Sequence, residues 1–223
     1  MDRALVFIKE GNSYVQVSPP NLTKEKLMLF SNYAAEQLKS VSRDVALSPQ
    51  ITLPHSAANR DAAINICKWI ADNDINNPTA LTLTALGLEV FDEVVYVHQT
   101  ANCMGLNRQF RGDDVRTAIF EYFGQSPLAV IEFTMVLELL SFDSGLCKSA
   151  KHAVMHGVVK GGSNVPPEME KIEEYCKTHG FWDEMLAIEQ EIREKHAQRD
   201  AEELAKWADP RVPRIFLRGA RGP

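Results

Sequence analysis

His152 and His156 stand four residues apart, a spacing that puts both imidazoles on one face of a helix, and imidazole and thiolate are the donors that tetrahedral zinc prefers. Cys147 lies just upstream and Cys176 and His179 downstream, so one stretch of chain holds the donor types for a metal centre. The residue after the first His is Ala153 where a zinc-protease helix carries Glu, and the remaining donors are separated by long gaps of no set pattern. A metal-binding helical protein or enzyme built on the Cys147/His152/His156 region is therefore the alternative reading. The main expectation is no metal and no cofactor.

Glu168, Glu170, Glu173 and Glu174 could serve as an acid/base cluster, yet acids gathered at a helix start are explained by the helix dipole and by solvent. Cys67 and Cys103 sit in apolar stretches with no neighbouring cation to hold a thiolate. Gly161-Gly162 lacks the Lys-Ser/Thr of a phosphate loop, and no Gly-x-Ser-x-Gly elbow occurs. These readings point to a non-enzymatic chain with no catalytic residue.

A net charge of −6 argues against a general binder of nucleic-acid phosphates, which needs a basic footprint. The exception is residues 210–223, where Arg211, Arg214, Arg218 and Arg221 follow Asp209 with no further acid. That segment is expected to be a solvated, disordered tail, with a nucleic-acid role as the alternative. The four cysteines are unevenly spaced with no Cys-x-x-Cys pair, as reduced thiols of a nuclear or cytoplasmic protein would be. Leu5 to Ile8 is too short for a secretory or membrane segment, and no later stretch approaches roughly 18 unbroken apolar residues, so no membrane partner is expected.

The elements follow from periodicity. Leu5–Ile8 and Tyr14–Val17 read as a hairpin around Gly11-Asn12-Ser13, ended by Pro19-Pro20. Leu27, Phe30, Ala34 and Leu38 predict one helix with a single apolar stripe, starting at Thr23. Ile51-Thr52-Leu53 reads as a third strand stopped by Pro54, and residues 60–70 as a largely buried helix. Residues 81–107 are apolar but valine-rich, which leaves helix and strand both open, with Gly105 as a stop. Asp113-Asp114 opens a helix that Gly124 closes; residues 127–159 are helical in pattern, and Gly161-Gly162-Ser163-Asn164 is a flexible joint and a natural boundary. Beyond it come a helix begun by Pro166-Pro167 and a charged one from Trp182 towards Trp207, with only Met185, Ile188 and Ile192 as a narrow stripe.

The order of these elements resembles the BTB/POZ fold shared with the Skp and elongin C adaptors. Thr23, Lys24, Leu27, Ser31 and Tyr33 fall in the register of the family's His-Lys-x-x-Leu-x-x-x-Ser pattern and the aromatic after it, with Thr23 in place of the usual His and Ala34 where phenylalanine is common. Ile51-Thr52-Leu53-Pro54, Ala62 to Ile70, Val94 to Leu106 and Val115 to Phe123 resemble the strand and helices that follow. The resemblance implies an α+β chain: a small sheet flanked by helices over residues 1–125, an all-helical extension over 126–209 similar to those of fungal BTB proteins, and the basic tail over 210–223. It implies a scaffold or adaptor that pairs with itself and with another protein, through a cullin-type ligase or a nuclear regulatory assembly. The expected interface is Leu27, Phe30, Ser31, Tyr33, Ala34 and Leu38.

Overall fold

Strand β1 (Leu5–Glu10) alternates, with Val6 and Ile8 buried and Lys9 exposed, as a half-buried strand must. Gly11, at φ 59, turns it back into β2 (Ser13–Gln16), antiparallel with Ile8 opposite Val15. On its other side β1 pairs in parallel with β3 (Gln50–Pro54), Val6 opposite Ile51 and Ile8 opposite Leu53, giving the order β2-β1-β3. A parallel pair requires a crossover, and helices α1 (Lys24–Phe30) and α2 (Asn32–Lys39) supply it. The computed structural model describes residues 3–39, 49–54 and 58–208, and the chain is a mixed α+β protein with one three-stranded sheet and many helices among them. The basic segment 210–223 lies outside the described residues.

The single helix expected from Thr23 onward is two. Ser31 leaves helical geometry at φ −125 and ψ 117 and bridges to Leu106. Its hydroxyl donates to the Met104 carbonyl at 2.5 Å and accepts from the Ala34 amide at 2.9 Å, so it closes α1 and caps α2 at once. The apolar spacing runs straight through this break and conceals it.

Helix α3 (Arg60–Asp72) begins where the Asn59 side chain accepts from the amides of Asp61 and Ala62, and it buries Ile66, Cys67 and Ile70. The ambiguous stretch resolves as α4 (Leu83–Leu86) and α5 (Phe91–Cys103). Its valines are helical because α5 is enclosed by α3, α7 and α8, and a helix covered on most sides is apolar on most sides. Gly105, at φ 60, follows it. After α6 (Arg108–Arg111), Gly112 takes φ 70, and a Cβ there would lie 1.9 Å from the Leu81 carbonyl oxygen. Helix α7 (Asp113–Gln125) includes Gly124 in its last turn, so the glycine expected to end it does not.

Helices α8 (Val130–Leu139), α9 (Ser144–Lys160), α10 (Met169–Thr178) and α11 (Trp182–Ala208) complete the described chain. The expected flexible joint is a 3-10 turn over Gly162–Asn164, seated on Gly157, where a Cβ would meet the Asn164 carbonyl oxygen at 2.3 Å. Helix α9 packs on α7 and α8, α10 on α8, and α11 on α9. The buried residues from Ala4 to Ile192 join in one continuous hydrophobic core.

Candidate functional site

The six residues expected at an interface lie along α1, α2 and the break between them at Ser31. Leu27, Phe30, Ser31, Ala34 and Leu38 are fully buried inside the chain. Phe30 meets the Trp69 ring edge-on at 5.0 Å and lies 4.5 Å from the Phe110 ring. Tyr33 is half-buried, and its hydroxyl donates to the Thr52 carbonyl at 3.2 Å. The stripe thus serves core packing within this chain. Outward these helices present Glu25, Asn32, Glu36 and Lys39, with Met28 and Leu29 half-buried beside them.

His152 and His156 are half-buried on α9 and line a shallow groove with Phe120, Phe123 and Ile192. The His156 ring stands edge-on to His196, 5.7 Å away, and burial, Lys160 and His196 together push its pKa down. Cys147 turns its thiol to the Leu140 carbonyl at 3.3 Å, Cys176 is buried, and the His179 Nδ1 lies 2.8 Å from the Tyr175 carbonyl oxygen. Among the described residues no group of three or more His, Cys, Asp and Glu side chains is placed to hold a metal ion.

The acids around Glu168 are part of an exposed helix surface: Glu168 pairs with Lys171, and Glu173 with Lys177 at 2.5 Å. Burial pushes the Cys67 thiol up to about 12 and Cys176 to about 11, and it raises Cys103 and Cys147 as well, the reverse of what a nucleophilic thiol needs.

Two constellations are invisible in the sequence spacing. At the seam between α5, α7 and α9, Arg116 donates twice to Asp143, Nε to Oδ2 at 2.6 Å and Nη2 to Oδ1 at 2.9 Å. Asp143 also caps α9 by accepting from the Leu146 amide at 3.1 Å, and the Arg116 guanidinium first, then that amide, holds its carboxyl down at about 2. His98, almost fully buried, stops 3.4 Å short of the same carboxylate with its Nε2 lacking a hydrogen bond, and desolvation lowers its pKa. The second constellation is a cleft over α3, where Asp61, Asp72, Asp74, Asp92 and Glu93 come from three different stretches of chain. No spacing rule would gather either set, because each member is recruited by packing.

Among the described residues no helix is long and apolar enough to cross a membrane. No family model matches the chain, and no curated protein is significantly similar to it.

Proposed function

We propose that the chain is a non-enzymatic protein-interaction module of the BTB/POZ type, a scaffold or adaptor of the nucleus or cytoplasm that pairs with itself and with another protein. One observation carries the reading: a hairpin, a helix pair and a third strand parallel to β1 ending in Leu53-Pro54, followed by the buried helix α3, in the sheet order β2-β1-β3. The resemblance rests on a similar run, with one stripe-bearing helix in the place of α1 and α2. On this reading residues 1–125 are the module and 126–209 its helical extension.

With the α1/α2 stripe in the core, self-pairing draws on what these helices leave outward, Met28 first among it. Leu27→Asp or Phe30→Asp would report folding instead of association, because both side chains are buried. Sedimentation of the purified chain over a wide concentration range is expected to show mass rising towards a dimer, and Met28→Asp is expected to weaken it without unfolding the protein. A single monomeric species at every concentration would remove self-association from the reading.

A further inference from the structure

Two clefts over α3 run into one another, sharing Asn65 and Leu86. One, of about 540 Å³, includes Trp69, Asp72 and Asp74; the other, of about 280 Å³, includes Asp61, Asp92, Glu93 and Tyr96. Against these five acids the lining has one cation, Lys68, leaving four net negative charges. Among the described residues none of the five makes an ion pair, whereas acids on α10 and α11 are clasped by lysines and an arginine one turn away. Where they do bond, their partners are neutral: Asp72 accepts from Asn21, and Asp74 from the Asn76 amide. The charge therefore has no ion-pair partner among the described residues, and the lining also includes half-buried Leu86, Leu88 and Tyr96 and the edge of the largely buried Trp69.

Acids lining a cleft beside Tyr96 and the edge of Trp69 select the cation. A guanidinium is planar and weakly hydrated, pairs with carboxylates in two-pronged fashion and stacks on rings, where an ammonium stays hydrated. The chain itself contains the matching peptide: residues 210–223 carry Arg211, Arg214, Arg218 and Arg221 around an apolar centre, Ile215-Phe216-Leu217, with no acid.

We propose that the cleft over α3 binds the arginine-bearing segment 210–223 of a second copy of the chain. The inference rests on the self-association reading above and adds to the outward face of α1 and α2 a second contact between the copies. A second copy is the occupant proposed, because α11, the helix that leads into the segment, packs on α9 and α10, away from α3. From α3 the packing runs through α5, α7 and α9 to α11, four helix-to-helix steps of about 8–10 Å each. The apolar centre begins seven residues beyond the end of α11, roughly 25 Å of fully extended chain. In a dimer the contact can be reciprocal, each copy lending its tail to the other's cleft.

Light scattering of three full-length proteins at low salt tests the contact: the wild type, a tail variant (Arg211→Ser, Arg214→Ser, Arg218→Ser, Arg221→Ser) and a cleft variant (Asp74→Lys, Asp92→Lys, Glu93→Lys). The substituted cleft residues are exposed, so the fold should persist. Each variant alone is expected to associate at least about tenfold more weakly than the wild type. An equimolar mixture should recover a dimer, because the tail of one variant fills the cleft of the other, and that dimer should weaken with added salt. Association equal in all three proteins would overturn the cleft–tail contact and leave the interaction reading standing. Loss in both variants without recovery on mixing would overturn the second copy as the source. A wild type that stays monomeric would remove self-association and this contact together.

Discussion

Between residues 3 and 125 a set of side-chain polar bonds reaches far along the sequence, beside others that close within a turn or cap. Ser31 donates to Met104, Asn107 to the Leu29 carbonyl and Lys26 to the Ala71 carbonyl, and Asp114 accepts from the Leu83 amide. From residue 168 onward the polar bonds of α10 and α11 mostly close within one turn of their own helix: Glu173 with Lys177, Glu174 with Thr178, Glu189 with Arg193 and Glu191 with Lys195. The later helices are placed almost wholly by apolar side chains such as Phe133, Val154, Ile172 and Met185, with the ion pair between buried Lys151 and exposed Glu184 a rare polar tie between them. The difference shows two ways of fixing a fold. A small sheet with short helices needs long-range hydrogen bonds to set its register, while long amphipathic helices are placed by their stripes and tolerate a polar surface that is merely self-consistent.

The strongest way to break this contrast is through the core the two parts share. Phe30 is fully buried between Trp69 and Phe110, and Phe30→Ala is expected to cost about 3–5 kcal/mol. Because the buried residues from both parts form one cluster, urea unfolding should remain a single transition at a lower midpoint when followed by far-ultraviolet dichroism. A split transition, with the helices after residue 130 surviving the first step, would make the two parts separate cooperative units.

How far the sequence shows these features depends on whether a feature is local. The hairpin is legible because Gly11 tolerates positive φ, and β3 is legible because Pro54 cannot donate to a ladder. The stripe Leu27, Phe30, Ala34, Leu38 is legible as apolar, but its spacing is the same for a core face and a docking face, and burial assigns these four to the core. The break at Ser31 is not legible, because its cause is a carbonyl 73 residues away. The acids of the cleft escape notice for the same reason: Asp61 lies in the first turn of α3 and Asp92 and Glu93 in that of α5, so each alone reads as an ordinary helix-start charge, and Asp72 and Asp74 read as the polar break after α3.

A smaller effect belongs to the seam, where His98 of α5 meets Asp143 at the start of α9. Burial, reinforced by Arg111 and Arg116 and opposed by Asp143, lowers the His98 pKa in the folded protein. The unfolded chain therefore takes up this proton first, and stability should fall as pH drops through the ordinary histidine value of 6.5 towards the lowered one. Asp143 works at lower pH: its carboxyl titrates at about 2 when folded against 3.8 otherwise, so its contribution is whole above 3.8 and is lost on descending to 2. Urea midpoints measured from pH 7 down to pH 5 should decline in the wild type and flatten in His98→Gln, with any remaining slope left to His156, whose pKa burial also lowers. An unchanged slope in His98→Gln would move the acid sensitivity away from the seam.

The smallest expected effect sharpens the comparison from the other side. On α11, Arg193 gives both Nε and Nη2 to one oxygen of Glu189, at 2.9 and 2.6 Å, while Ile188 and Ile192 on the adjoining face are buried. A one-turn ion pair on a helix surface stabilises by about 0.2–0.5 kcal/mol, and in molar salt, where the screening length shrinks to roughly 3 Å, little of that remains. Glu189→Gln should therefore lower the urea midpoint slightly at low salt and match the wild type at high salt. A loss above about 1 kcal/mol that persists in high salt would exceed what an exposed pair can supply. Helix α11 would then depend on its polar bonds as the sheet-bearing part does, and the division between register set by hydrogen bonds and placement set by apolar stripes would fail at the helix where it is drawn most sharply.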